Sequence, residues 1–262
     1  MNRTLINNKL VSFMLTMILL LGGIIPVHAA SSDNSDRWKV TGALYLWYAS
    51  MGGNTTTGSG VNVDASDLID NLDFAFMGLI DVRKQKWSFM ADVIYLSVEA
   101  GEQGSVTLPT APTVPIPVNA NVDIEGWVVT LTGGHALIQP AKNRLDLRFG
   151  ARYLQLKSKL DLALNPPSGP TISLSDSSDI WDAVIGIDGR FGLTDKWYLP
   201  YYLDVGTGNS KMTWQAFGGV AYAFRKVDVV VAYRHLEWDF DDDPLLDDVN
   251  FNGPFAGIAF RF

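Results

Sequence analysis

The sequence has 262 residues, no cysteine, and 20 Lys plus Arg against 28 Asp plus Glu, a formal charge of −8. Without cysteine there are no disulfides, zinc–thiolate sites or thiol nucleophiles. An acidic chain also lacks the electrostatic footprint that nucleic acid requires, and the length suits one large barrel or sandwich.

The N-terminal stretch carries Arg3 and Lys9 but no acid, and residues 10–25 are almost wholly apolar. Val27 and Ala29 then stand where small residues flank a secretory cleavage site. This predicts a signal peptide over 1–29 and a single domain over 30–262. Cutting there removes Arg3 and Lys9 and leaves the remainder more acidic still. No second long uncharged apolar run follows, so helices are not expected to span a membrane.

Ten segments of alternating apolar and polar or small residues come next. They cover approximately 38–49, 72–83, 87–100, 121–137, 144–158, 179–193, 197–206, 213–224, 227–238 and 253–262. A period of two is the signature of a strand with two different faces. The breaks between segments alternate in length. "KQK" (84–86), "QPAKN" (139–143), "TDK" (194–196) and "RK" (225–226) are short. Residues 50–71, 101–120, 158–179 and 239–250 are long, and "TGNSKM" (207–212) is modest. Short turns at one end and long loops at the other predict a closed, antiparallel, all-β transmembrane barrel. Ten strands fit best, with eight or twelve as alternatives. On this pattern the short turns are periplasmic and the long loops extracellular. "TLPTAPTVPIPV" within 101–120 reads as extended and mobile.

Tryptophans sharpen the pattern. Trp38, Trp87 and Trp197 lie beside short turns; Trp47, Trp127, Trp181, Trp214 and Trp238 lie beside long loops. Such placement predicts aromatic girdles at two membrane interfaces. Strand parity then separates a lipid face from a lumen. Lys39, Asp81, Arg83, Asp146, Arg148, Asp188, Arg190, Asp228 and Arg261 should face inward near the short turns. Asp73, Arg152 and Asp182 share the inward parity of their strands. Tyr45, Trp47, Met77, Ile94, Leu96, Leu154, Leu156, Tyr202, Phe217, Leu236 and Trp238 should face inward nearer the long loops. Opposite charges crowded into a narrow interior should pair, because each needs a partner nearby. They are expected to plug the periplasmic half. The upper half should be either a surface-open pocket or a core packed by loops.

The last segment, "FAGIAFRF", places Ile258, Phe260 and Phe262 on one apolar face. It resembles the terminal strand of bacterial outer-membrane β-barrel proteins, and "SDLIDNLDFAFMGLIDVRKQKWSFMADVIYLSV" (66–98) is similar to porin-like or surface-antigen members of that group. The resemblance implies a Gram-negative outer-membrane location. It further implies that Ile258, Phe260 and Phe262 are read by the barrel-assembly machinery, and that outer-membrane lipid and lipopolysaccharide surround the chain. Oligomeric state is left open.

Chemistry-bearing motifs are sparse. His135 lies near a short turn on a face suited to a lipid interface. His235, in "YRHLEWDFDDD", has Glu237, Asp239, Asp241, Asp242 and Asp243 close in sequence, and a general base needs such a partner. Parity nevertheless groups it with Val229, Val231 and Tyr233, facing lipid. Asp239, Asp241 and Asp243 imitate the start of a calcium loop, but Pro244 replaces the turn glycine and Asn250 the closing Glu. The expectation is therefore no catalytic residue, metal or cofactor. The chain reads as a non-enzymatic barrel, structural or porin-like, that binds or passes small solutes. An outer-membrane hydrolase using His235 (a protease or lipid A-modifying enzyme) is the alternative, and a surface adhesin or receptor is a further one.

Overall fold

The computed structural model describes residues 37–56, 60–107, 115–139, 142–164, 169, 171–240 and 246–262. The expected signal segment (1–29) lies outside the described residues. So do Asp241, Asp242, Asp243 and Pro244 of the acidic loop, and 108–114 of the Pro-rich stretch.

The chain forms β1 (Lys39–Trp47), β2 (Ser50–Thr55), β3 (Gly60–Val63), a short helix α1 (Ala65–Asp70) and β4 (Leu72–Lys84). Then come β5 (Trp87–Thr107), β6 (Pro115–Ile138), β7 (Arg144–Leu164), β8 (Thr171–Gly192), β9 (Trp197–Gly208), β10 (Met212–Ala223), β11 (Val227–Asp239) and β12 (Leu246–Arg261). β4 through β12 pair each with the next, and β1 pairs with both β4 and β12. The result is a closed antiparallel barrel of ten strands. Closure leaves the ring without a free edge.

The seam is made by β1 and β12 in the register Thr41 to Arg261 through Trp47 to Phe255. The Phe262 N–H donates to the Val40 carbonyl at 2.9 Å, carrying the ladder one residue further. Above Trp47 the path of β1 continues as β2, which pairs with the upper part of β12 from Asn252 to Leu246. β3 pairs with β2 alone, and α1 returns to β2, where the Ser50 hydroxyl accepts from the Ala65 N–H at 3.3 Å. The sequence pattern suggested only a loop over 50–71. "SMGGNT" and "GVNV" carry too little apolar alternation to announce a strand. Their conformation comes from pairing with β12, not from a pattern of their own.

Four strands overshoot the rest. β5, β6, β7 and β8 run 21, 24, 21 and 22 residues, against 9 to 16 for the other ring strands. Their ladders continue to Thr107–Pro115 and Ala163–Thr171, raising a ribbon beyond the long-loop end. Of the break expected over 101–120, residues 101–107 and 115–120 are thus strand. Pro115 and Pro117 fit because β7 begins to pair only at Val118, so both stand where β6 has one neighbour. On this ribbon the Lys159 ammonium and Ser173 hydroxyl bond Asp161 and hold its carboxyl below the usual range.

The outer wall is apolar all round. Leu44, Phe89, Phe149, Ile185, Leu203, Val231, Ile258 and Phe260 are exposed large hydrophobics. Trp38, Trp87, Phe191, Trp197, Phe224 and Phe262 ring the short-turn end of this belt, and Tyr48, Trp181 and Tyr233 the long-loop end. Trp47 and Trp238 sit at the long-loop end but point inward and are buried, as their parity predicts, and so take no part in the outer girdle. Inward they cluster with Leu154, Leu236, Val249 and Ile94, filling the upper lumen.

Deleting Phe262 should weaken the seam, since the Val40 carbonyl then loses its partner and β1 loses an outer apolar neighbour. Heat-modifiable gel mobility of membrane fractions should show a clear fall in folded barrel. An unchanged folded fraction would mean that the seam holds without this residue.

Candidate functional site

The lumen is organised in layers. At the short-turn end, β4, β7 and β8 project Asp81, Arg83, Arg144, Asp146, Arg148 and Asp188 toward one another. Arg83 pairs with Asp81 at 2.6 Å and also with Asp146, and Arg144 reaches Asp188 at 2.9 Å and Asp146 at 3.3 Å. Arg148, 1 % exposed, bonds Asp81 at 2.8 Å and Asp188 at 2.5 Å. Room for it comes from the facing strand. A Cβ on Gly134 would stand 2.5 Å from the Ser88 hydroxyl and 3.1 Å from the Arg148 guanidinium carbon. Arg144 was not among the residues singled out from sequence, although it shares the parity of Asp146.

A second group continues round the barrel on β8, β9, β11 and β12. Arg261 pairs with Asp228 at 3.0 Å, Tyr198 donates to Asp228 at 2.8 Å, and the Arg190 guanidinium lies 5.6 Å from the Tyr198 ring centre. The nine charges expected to line the lumen therefore divide. Asp81, Arg83, Asp146, Arg148 and Asp188 belong to the first group, and Arg190, Asp228 and Arg261 to the second. Lys39 belongs to neither: it is exposed, opposite Arg83 in the β1–β4 register.

At mid-height are two matching assemblies. Arg234 donates to Asp92 at 2.8 Å and to the Tyr45 hydroxyl at 3.0 Å, and Tyr45 donates to Asp92 at 2.5 Å. Arg152, 0 % exposed, donates to Asp204 at 2.5 Å, and Tyr202 donates to the same carboxylate at 2.6 Å. Gln215 joins the two: its side-chain oxygen accepts from Arg234 at 2.9 Å and from Arg152 at 3.4 Å. Thr213 and Thr130 accept the remaining Arg152 bonds at 3.0 and 3.3 Å. The Trp47 indole lies 5.0 Å from the Arg234 guanidinium and Trp238 5.9 Å from Arg152. Planar cations with aromatic faces on one side and carboxylates on the other suit a buried site.

Asp92, Asp204, Arg234 and Gln215 escaped the sequence reading. The signal was present. Arg234 has the parity of Leu236 and Trp238, Asp92 that of Ile94 and Leu96, and Asp204 that of Tyr202. Of the others noted by parity, Asp73 is exposed near the start of β4. Asp182 is buried and accepts from the Ser210 N–H at 2.9 Å, holding the β9–β10 turn.

Between the short-turn layer and the mid-height layer lies a cavity of about 260 Å³. Arg144, Arg148, Asp188 and Arg190 line one wall. Thr41, Ala43, Gly257, Ala259 and Val230 line the other. This corrects the expectation of a largely plugged periplasmic half. The charges pair as partners, yet the small residues of β1, β11 and β12 leave space in front of them. The dense filling lies above, in the aromatic upper half, which takes the packed-core form of the two expected and not that of an open pocket.

His235 stands on the outer wall. Its ring lies 4.4 Å from that of Trp214, and its Nε2 is 2.9 Å from a Glu237 oxygen that also accepts from the Trp214 indole at 3.1 Å. Asp239 pairs with Lys211 at 3.6 Å instead of joining it. His135 lies at the other rim, edge-on to Trp87 at 4.8 Å. Ile258 and Phe260 face outward on β12, beside Phe262.

No family model matches the chain, and no curated protein does. Solved structures of low similarity do. The translocator domain of the autotransporter NalP from Neisseria meningitidis is 14 % identical, with a TM-score of 0.45 over 87 % of this chain and 90 % of that one. Ail, the attachment invasion locus protein of Yersinia pestis, is 11 % identical, with a TM-score of 0.35 over 87 % and 99 %. The P. putida toluene transporter TodX is 10 % identical, with a TM-score of 0.30 over 88 % and 90 %. Likenesses of this size assign no activity.

Arg234→Met should destabilise the barrel by about 3–5 kcal/mol, because Asp92 is left buried without its cation. Adding Asp92→Leu should restore most of the loss. Urea titration of the refolded barrel in micelles measures both, and equal stability of the single and double variants would show that the pair is uncoupled.

Proposed function

We propose that this chain is a non-enzymatic outer-membrane barrel of a Gram-negative bacterium whose lumen is sealed against general solute flow. The membrane setting is supported by the apolar belt, the aromatic residues at both of its ends and the absence of a free edge in the ring. The short turns are placed in the periplasm and the β5–β8 ribbon outside the cell. Lipopolysaccharide and outer-membrane lipid would contact the belt. The assembly machinery would read Ile258, Phe260 and Phe262.

The sealed lumen rests on one observation above all: Trp238 and Leu236, directly above the buried arginines, are 0 % exposed. A porin interior keeps a water-filled path. Here aromatic and aliphatic side chains from β1, β5, β7, β11 and β12 meet across the axis. The hydrolase alternative loses support from the placement of His235, whose partners hold its ring against the outer wall, away from the lumen.

In planar bilayers the purified barrel should give little or no steady conductance. Leu236→Ala with Trp238→Ala should open measurable current while the protein stays folded. Large currents from the unaltered protein would overturn the sealed reading.

Orientation has its own test. The chain has no cysteine, so single cysteines report cleanly. Asn54→Cys should label with an impermeant maleimide on intact cells, whereas Gln85→Cys and Lys196→Cys should label only after lysis. The reverse pattern would invert the barrel.

A further inference from the structure

We infer that the 260 Å³ cavity at the short-turn end is a binding site for a small organic carboxylate with an apolar body. This goes beyond the sealed-barrel reading, which concerns flow past the upper lumen. It requires only that the lower lumen be reached from the short turns.

Two observations carry it. First, the cavity is built from two unlike walls. Arg144, Arg148 and Arg190 stand on one side, and on the other Ala43, Ala259 and Val230 form an apolar patch beside Asp228 and Arg261. Such a pair of surfaces suits a solute with one anionic end and one hydrocarbon end. Second, the local charge runs against that of the chain. The protein carries −8 overall, but in the two short-turn groups Arg83, Arg144, Arg148, Arg190 and Arg261 outnumber Asp81, Asp146, Asp188 and Asp228. An arginine surplus in a cleft of low-dielectric walls concentrates anions.

Access is open from below and closed from above. The Arg144 and Arg261 side chains retain 31 % and 38 % exposure at the short-turn end. Over the cavity the Tyr45–Asp92–Arg234 assembly and the aromatic layer shut the path. Size sets a further limit. A volume of about 260 Å³ admits a single ring or short chain with one carboxylate.

Benzoate, benzyl alcohol and benzylamine share a ring and differ in charge, so they are the probes. Calorimetric titration of the refolded barrel, with empty micelles subtracted, should show saturable benzoate binding. The alcohol should bind at least about tenfold more weakly, the value of one lost charge-assisted hydrogen bond, and the amine should not bind. Val230→Phe, which fills the apolar wall and leaves every charge in place, should abolish the benzoate signal. A thiol readout guards against partition into detergent. The Ala259→Cys variant should react faster with an anionic than with a cationic methanethiosulfonate, each rate divided by its rate with free mercaptoethanol, and benzoate should slow the reaction. No saturable benzoate binding, equal binding of the alcohol, survival of binding in Val230→Phe, or a cationic preference of the Ala259→Cys thiol would each overturn the assignment.

Discussion

Arg152 and Arg234 set the terms for the rest of the lumen. Both guanidiniums are buried at mid-barrel, where an uncompensated charge would cost many kcal/mol. Each therefore needs a carboxylate, a hydroxyl and an aromatic face at fixed positions on neighbouring strands. Asp92, Tyr45 and Trp47 serve one; Asp204, Tyr202 and Trp238 serve the other. A one-residue slip of any of these strands would turn its contributor to the outer wall. The buried pairs thus fix register more than they add stability, since ion pairs of this kind roughly balance attraction against desolvation. Gln215, accepting from both arginines, ties the two sides of the ring to each other.

The layers above and below follow from that requirement. Trp47 and Trp238 must turn inward to cover the arginines, so they leave the girdle and become the floor of the upper core. Below, Arg148 of β7 reaches Asp81 on β4 while Arg190 of β8 lies over Tyr198 on β9, and space is left in front of the small residues on β1, β11 and β12. A barrel of ten strands is only slightly wider than those that side chains fill. Here the filling is uneven, dense at the aromatic layer and sparse beneath it.

Most of the ring was legible in the sequence, because alternation over ten segments and the short-turn spacings are local properties. Asp81, Asp146 and Arg148 could be placed inward by parity alone. What parity could not supply was pairing between distant strands. Arg234 lies 142 positions from Asp92, and nothing in either neighbourhood announces the other. Asp204 and Gln215 were missed because a single polar residue amid apolar neighbours gives a weak signal. β2 and β3 escaped for a different reason: their conformation is imposed by β12, so their own residues show little period. The Pro-rich stretch misled because proline argues against a central strand, whereas Pro115 and Pro117 occupy the part of β6 that has only one neighbour.

The unequal heights of the wall give the molecule a heading. A barrel with level rims looks the same from every side within its plane, but here four consecutive strands rise on one flank while the other six stop short. Anything approaching laterally meets either a raised screen of backbone and side chains or a low sill, depending on its bearing. Neighbours packed around such a barrel would inherit a preferred azimuth, even if the belt that touches them were uniform.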